Sequence, residues 1–354
     1  TTNIISYFSM GDYVLTHKTK RILKLRKAVD IEDVTTASQQ EIDEYNRSDI
    51  KSKRTFCSLY RPVTRDILKR TFIIPVNDGA ITGYFFEKYK DRSVSGQSSL
   101  IILFHEGGWM LGNMSKCGAF CSNLCNVTGA SVLAVDFRLA PKFKFPVPVE
   151  DCYSAFLWAC QGARYWRVDP DKIYLMGSCT GGNLAAAVSR LARDRKGPKI
   201  AGQILISPVT DCRMRTESYE KYKDCPSFSV KEMEFFIRNY SREPKDILDP
   251  LFSPLLAKDN SRLPQTLVFA AQYDPLYDDA RLYSQTLVQA ETPSKFLEMK
   301  GMFHGFLLYP STPGWMDVML AIASFVGGRA VNDVEIMSDS ERRRLSRRPQ
   351  LIVQ

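Results

Sequence analysis

One cysteine lies where a short apolar run gives way to a helical pattern. Residues 173–176 are apolar, residues 177–181 read Gly-Ser-Cys-Thr-Gly, and residues 182–194 have helical spacing. Glycines on both sides allow a sharp turn from a strand into a helix, which presents the middle side chain at the helix N-terminus. That position favours the thiolate, the nucleophilic form of cysteine. The segment therefore predicts a nucleophile elbow in which the attacking atom is the sulfur of Cys179.

An acid and a histidine follow Cys179 in the chain, each just after a predicted strand. Asp274 follows the strand predicted over 266–270, and His304 follows the one predicted over 295–299. A histidine can take the nucleophile's proton and return it to a leaving group, and an acid can hold the histidine in the right tautomer. Nucleophile, acid and base occur here in an order known for hydrolytic triads. We therefore expect Cys179, Asp274 and His304 to be catalytic.

Two adjacent glycines follow another predicted strand. Residues 105–109 read His-Glu-Gly-Gly-Trp and come directly after the apolar run 100–104. Glycines there let the backbone approach a substrate carbonyl and aim N–H groups at a developing oxyanion. We expect an oxyanion hole formed by the amides of Gly107, Gly108 and Thr180.

The elements that must position these residues alternate along the chain. Strands are predicted over residues 71–75, 81–86, 100–104, 132–135, 173–176, 203–206, 266–270 and 295–299. Helices are predicted over residues 116–128, 150–160, 182–194, 278–289 and 314–326. This alternation predicts a mostly parallel sheet flanked by helices. Residues 77–80, Asn-Asp-Gly-Ala, indicate a hairpin, so the sheet should begin antiparallel.

Three regions do not follow this alternation. Residues 1–65 are charged and predicted helical, and residues 211–250 contain aromatic residues and a helical pattern over 230–240. Both regions would form a helical cap over the carboxyl ends of the strands, where open parallel sheets bind ligands. We therefore expect a cap segment over 1–65, a core over 66–328 with a cap insertion at about 211–250, and a basic, flexible tail over 329–354.

The basic residues indicate which partners to expect. Net charge is +9, with basic blocks at residues 17–27 and 342–348. Apolar residues interleave with the first block, so it forms either a helix on an anionic membrane surface or a solvated part of the cap, and both interpretations stay open. No basic patch with interleaved aromatic residues and no zinc spacing occurs, so we expect no nucleic-acid binding. No apolar stretch reaches the ~18–20 residues that span a bilayer.

The cysteine content favours a reducing compartment. There are 9 cysteines, an odd number, and residues 1–10 lack the pattern of a signal peptide. We therefore expect a cytoplasmic protein, with peripheral membrane contact as the alternative. Cys117, Cys121 and Cys125 recur every fourth residue, which indicates a buried helix face rather than a metal site. The oligomeric state stays open.

Together these motifs resemble the hormone-sensitive-lipase-like family of α/β-hydrolases, including arylacetamide deacetylase-type esterases. Residues 105–109 correspond to the family's H-G-G-G-[FW] signature and residues 177–183 to its G-D-S-A-G-G-N signature. Residues 136–151 match a further stretch, and the resemblance covers roughly residues 70–328. It implies an α/β-hydrolase fold with a mostly parallel eight-stranded sheet and a helical cap. It implies small acyl substrates, and no metal or organic cofactor.

The chain departs from the family pattern at four places. Cys179 replaces a serine, Ser178 an aspartate, Thr180 an alanine, and Glu106 the first glycine of the oxyanion loop. A Glu106 carboxylate facing the pocket would oppose an oxyanion and favour a positive or hydrogen-bond-donating ligand. The alternative is that Glu106 turns to solvent or pairs with a cation.

Six further residues are predicted to contact substrate, although a core position is an equal alternative for the three aromatic ones. They are His105, Glu106, Trp109, Ser178, Phe303 and Phe306.

The sequence thus predicts an enzyme that acts on an ester, lactone, thioester or amide. Cys179 would form an acyl thioester that is passed to water or to another acceptor. The alternative is an inactive small-molecule receptor or interaction protein on the same fold. Retention of His304 favours chemistry.

Overall fold

The computed structural model describes residues 7–10, 13–50, 54–63, 65–89 and 97–336. Most of the predicted C-terminal tail, including the basic block at 342–348, lies outside these residues. Residues 329–336 of the predicted tail are described, and Val331 and Val334 among them are buried.

The strands and helices occur where the alternating pattern predicts them in the core. In chain order the strands are β1 (Tyr7–Met10), β2 (Tyr13–Thr16), β3 (Ile67–Val76), β4 (Gly79–Lys88), β5 (Ser98–Phe104), β6 (Ser131–Asp136), β7 (Val168–Ser178), β8 (Gly202–Ile206), β9 (Thr266–Tyr273) and β10 (Ser294–Phe303). The helices are α1 (His17–Arg26), α2 (Gln39–Arg47), α3 (Arg54–Tyr60), α4 (Met114–Thr128), α5 (Val147–Gly162), α6 (Thr180–Asp194), α7 (Glu217–Lys221), α8 (Val230–Tyr240), α9 (Tyr277–Gln289) and α10 (Trp315–Val326).

The central sheet has eight strands in the order β10-β9-β8-β7-β5-β6-β4-β3. The strands from β10 to β6 pair in parallel, whereas β4 runs antiparallel to both β6 and β3. The hairpin between β3 and β4 turns at Asn77 and Asp78, and Asp78 has a positive φ of 59°. The prediction of a mostly parallel sheet that begins antiparallel is confirmed.

Both faces of the sheet are covered. In β5, Leu100, Ile102 and Phe104 belong to one buried cluster, and Ile101 and Leu103 belong to the other. Successive side chains of a strand point to opposite faces, so a continuous apolar run is what a strand buried on both faces requires. Helices therefore flank the sheet on both sides, and the carboxyl ends of the strands are left to form a site.

The N-terminal region differs from the all-helical expectation. β1 and β2 form an antiparallel hairpin before α1 begins. Aromatic and β-branched residues dominate these two segments, and such residues favour strands over helices. We expected helices because the region is charged, and this expectation did not take the strand preference of the two segments into account.

Helix α1 buries the apolar side of the first basic block within the chain. Thr16 caps the helix by accepting a hydrogen bond from the Thr19 amide, and Ile22 and Leu23 are buried. Lys18, Lys24 and neighbouring basic residues are exposed. The fold thus uses the apolar face of α1, and only its charged face meets solvent. Within the described ranges, no helix combines the length and apolar character needed to cross a membrane.

Two adjacent carboxylates at the start of α5 form ion pairs of very different burial. Asp151 accepts hydrogen bonds from the Arg138 amide and guanidinium, and its side chain is 1% exposed. Glu150 pairs with Arg195, and these side chains are 26% and 43% exposed. Removing one partner of a buried pair leaves an uncompensated charge, whereas an exposed pair contributes little.

We therefore expect Asp151→Ala to lower the free energy of unfolding by about 3 kcal/mol. Glu150→Ala, the matched control, should lower it by less than about 1 kcal/mol. Urea denaturation of the two variants checks this, and equal losses would contradict the role given to burial.

Candidate active site

Cys179 is at the tip of a sharp turn between β7 and α6. Its backbone is in the left-handed region, with φ 55° and ψ −120°. The Cys179 amide donates to the Ile206 carbonyl at 2.9 Å, and the Cys179 carbonyl accepts from the Asn183 amide at 3.2 Å. Such a conformation costs a non-glycine residue about 1–3 kcal/mol, so the surrounding contacts must hold it in place.

The structure brings His304 and Asp274 to this turn. His304 Nδ1 lies 2.9 Å from Asp274 Oδ2, and Asp274 is fully buried after β9. Nδ1–H therefore donates to the carboxylate, and the imidazole lies close enough to Cys179 for each side chain to shift the pKa of the other. The His304 ring also stacks on Phe228, with ring centroids 4.5 Å apart. The three residues predicted as a triad thus lie together in one buried group.

Ionisation of the thiol and of the imidazole are linked. Burial raises the pKa of Cys179, and the positive charge of His304 opposes this increase. Burial lowers the pKa of His304, but Asp274 and a Cys179 thiolate outweigh it, and the pKa rises well above its ordinary value. Each charge supports the other, so the pair holds one mobile proton, as a nucleophile and its base require.

The glycine turn after β5 lies beside the elbow. Gly107 and Gly108 have positive φ values of 120° and 65°, and both line the cavity in front of Cys179. Thr180 is the first residue of α6. Their role as oxyanion donors stays a prediction. A Cβ on Gly108 would lie 2.1 Å from the Phe236 ring, so α8 packs directly against this loop.

His105 is neutral in this setting. Burial lowers its pKa to about 4, and Nδ1 hydrogen bonds with the Glu106 carbonyl at 2.8 Å. Its ring stacks on Phe137 at a centroid distance of 4.3 Å. His105 therefore fixes the start of the loop and carries no charge into the site.

Glu106 faces the cavity rather than solvent. Ser178 Oγ donates a hydrogen bond to Glu106 Oε2 at 2.8 Å, and both residues line the cavity. Of the two orientations left open by the sequence, the structure has the one in which the carboxylate faces the cavity, next to the residue that precedes Cys179.

Three residues predicted to contact substrate lie in the core instead. Phe303 and Phe306 are 1% and 0% exposed and belong to a core cluster. Trp109 is fully buried and stacks on Tyr240 at 4.3 Å. The cavity lining includes none of the three. Large aromatic rings gain most from complete burial, which explains their positions.

An ionic cluster in the cavity wall was not predicted. Lys116 of α4 contacts Asp30 and the Tyr45 hydroxyl. Arg26 bonds to Asp30 at 3.0 Å and donates to the Ser227 carbonyl at 2.7 Å. Burial, with the nearby charge of Arg26, lowers the pKa of Lys116 to about 7. The sequence held no spacing signal for this cluster, because its members are far apart in the chain.

Cysteines 117, 121 and 125 lie on a buried face of α4, as expected from their spacing. Among the residues with described positions, no group of three or more potential ligands could hold a metal ion.

Comparison with known proteins identifies the family. A family model described as alpha/beta hydrolase fold, Abhydrolase_3, matches residues 101–308. The chain belongs to this family. An arylesterase from Saccharolobus solfataricus is 37% identical over 63% of this chain and 73% of the relative. Arylacetamide deacetylase-like 3 from Homo sapiens is 28% identical over 64% of this chain and 72% of the relative.

A solved structure extends this likeness. A hyperthermophilic esterase from Pyrobaculum calidifontis has a TM-score of 0.78 and 28% identity, and the match covers 88% of this chain and 97% of that chain. The α/β-hydrolase fold and the resemblance to the hormone-sensitive-lipase-like family are thus confirmed. The roles of Cys179 and the other site residues stay predictions.

We expect His304→Asn to shift alkylation of Cys179 toward higher pH. Only the thiolate reacts with iodoacetamide. Burial raises the pKa of Cys179 and protonated His304 lowers it, so losing the imidazolium leaves the upward shift unopposed. Peptide-level mass spectrometry over a pH series measures the rate, with exposed Cys57 as an internal reference. An unchanged or lower midpoint in the variant would contradict the coupling.

Gly108→Ala should destabilise the protein more than Gly129→Ala. Both glycines have similar φ values, 65° and 69°, so the backbone penalty is shared. The added methyl meets Phe236 at position 108 and no atom within 4 Å at position 129. We expect an extra loss of about 1–3 kcal/mol for Gly108→Ala, measured by chemical denaturation. Equal losses would mean that α8 moves freely away from the loop.

Proposed function

We propose that this chain hydrolyses small or medium carboxylic esters and related acyl compounds through a cysteine nucleophile. The observation that supports this most is the buried series of Cys179, His304 and Asp274, with 2.9 Å between His304 Nδ1 and Asp274 Oδ2. The relatives named arylesterase and esterase support the class of substrate. They do not favour the alternative of a binding-only protein.

In the first step, His304 takes the thiol proton as the Cys179 sulfur attacks the acyl carbon. A carbon–sulfur bond forms, and the carbonyl oxygen becomes an oxyanion that the amides of Gly107, Gly108 and Thr180 stabilise. The bond to the leaving alcohol then breaks, and His304 returns the proton to the alkoxide oxygen. The product is an acyl thioester on Cys179.

In the second step, water attacks the thioester. His304 takes a proton from the water, the carbon–sulfur bond breaks, and the same proton restores the Cys179 thiol. Asp274 stays ionised in both steps, holds the imidazole in place and stabilises its charged form.

The two regions predicted to form the cap supply much of the cavity wall. Ile31 and Val34 come from the N-terminal region, and Phe228 and Phe236 come from the insertion. We propose that these apolar side chains surround the acyl or alcohol part of the substrate, since such pockets are lined mainly by apolar groups.

A covalent adduct tests the proposed nucleophile. We expect p-nitrophenyl acetate to leave an acetyl group on Cys179, because this cysteine is at the tip of the elbow and the charge of His304 favours its thiolate. Intact-mass analysis after rapid quenching measures it. Cys179→Ala should abolish the adduct, and Cys57→Ala, which removes an exposed cysteine, should not.

The outcome separates the two functions left by the sequence. An adduct that persists in Cys179→Ala would contradict the proposed nucleophile. Saturable ligand binding with no adduct and no turnover of esters, thioesters or lactones would instead show a binding protein.

A further inference from the structure

The acidic side chain of Glu106 lies beside the proposed nucleophile. Its Oε2 accepts a hydrogen bond from the Ser178 hydroxyl at 2.8 Å, and Ser178 directly precedes Cys179. Its negative charge also acts on the Cys179 thiolate. A carboxylate near the oxyanion that forms during the reaction repels it electrostatically. Glu106 should therefore slow the hydrolysis of simple esters unless the ligand carries positive charge.

Glu106 interacts with Arg26 only through the longer-range attraction of their charges. Within the described part of the chain, no ion pair includes Glu106. Arg26, a basic residue of the same cavity, hydrogen bonds to Asp30 and to the Ser227 carbonyl. Lys116 contacts Asp30 and Tyr45. Among the described residues Glu106 thus has no salt-bridge partner, and its carboxylate lines the cavity where a charged ligand can reach it.

The second carboxylate oxygen lies near the segment that carries His304. With Oε2 held by Ser178, Oε1 lies 3.7 Å from the position of a Cβ built on Gly305, next to His304. An acceptor must approach His304 to lose its proton. Glu106 and His304 line the same cavity, so an acceptor that reaches His304 also comes near Glu106.

We infer that Glu106 makes this site an acyltransferase for small primary amines, with the acyl thioester of Cys179 as donor. This inference rests on the proposed function, because it needs that thioester. A carboxylate attracts an ammonium ion electrostatically and hydrogen bonds to it strongly, which concentrates amines where water would otherwise attack.

The chemistry of the acyl thioester favours the same acceptor. The bound ammonium ion first releases one proton to solvent. The free amine then attacks the acyl carbon, and positive charge develops on nitrogen as the carbon–nitrogen bond forms. Glu106 Oε1 stabilises that positive charge. When water attacks instead, its proton passes to His304, and no positive charge stays on the attacking oxygen for Glu106 to stabilise. The carbon–sulfur bond then breaks, and one N–H proton passes to His304 and on to the leaving sulfur. The products are an amide and the free Cys179 thiol, and Glu106 ends unchanged.

The partition of the thioester between amine and water tests this. The protein receives S-phenyl thioacetate with n-propylamine, and chromatography quantifies N-propylacetamide and acetate. We expect Glu106→Gln, which keeps an acceptor for Ser178, to lower the amide-to-acetate ratio about tenfold. Cys179→Ala measures the uncatalysed background.

Glu232→Gln is the matched control. Glu232 also lines the cavity, but its carboxylate accepts the Ser229 amide and hydroxyl at the start of α8. Glutamine can fill the same capping role, so the ratio should stay at the wild-type value. A ratio that is unchanged in Glu106→Gln, or equally lowered in Glu232→Gln, would overturn the inference.

Two further outcomes separate this inference from the proposed function. An acetyl adduct on Cys179 that yields acetate alone would overturn only the amine preference. Absence of any adduct would overturn both. If Glu106→Gln fails to fold, the wild-type protein provides the test. The rates of amide formation with n-propylamine and with the less basic 2,2,2-trifluoroethylamine are compared for the enzyme and for S-phenyl thioacetate in free solution. The inference requires that the enzyme prefer n-propylamine more strongly than the free thioester does. An equal preference would overturn the inference.

Discussion

The site depends on how closely three backbone segments approach one another at the elbow. A Cβ on Gly177 would lie 2.1 Å from the Gly181 backbone, and one on Gly181 would lie 2.1 Å from the Phe104 carbonyl oxygen. The ends of β7 and β5 and the start of α6 are therefore in direct contact, which holds Cys179 at its positive φ of 55°. Because residues 105–109 follow Phe104 directly, the same contact places the glycine turn beside the sulfur. One steric constraint thus positions both Cys179 and the loop around it.

Electrostatics then decide which chemistry this geometry supports. Burial raises the pKa of Cys179, His304 opposes it, and Glu106 adds to the increase. A serine in the same place would not have to become a stable anion. A cysteine reacts as its thiolate, so nearby charges strongly change the pKa and the reactivity of its thiol. A cation bound at Glu106 would offset its effect and favour the thiolate. The acid and the sulfur are therefore best understood together, as two linked departures from the family pattern.

Most of the fold and the central site could be predicted from the sequence, because local patterns specify them. Glycine spacing marks the elbow, and the strand pattern places Asp274 and His304 at the same edge of the sheet. The rest depends on long-range packing. The orientation of Glu106 follows from its contact with Ser178, 72 residues away in the chain. The core positions of Trp109, Phe303 and Phe306 follow from competition for burial, which a single sequence does not record.

The polar wall of the cavity is built by residues from inside and outside the family match. The family match begins at residue 101, whereas Arg26, Asp30 and Tyr45 precede it. Asp30 joins Arg26 to Lys116 of the core, and Arg26 also reaches Ser227 of the insertion. Three segments that surround the cavity thus share one ionic cluster, whose strength increases as water is excluded. The cluster thus holds the core and the two regions predicted to form the cap in fixed positions around the cavity. Part of the cavity wall therefore depends on residues that precede the family match.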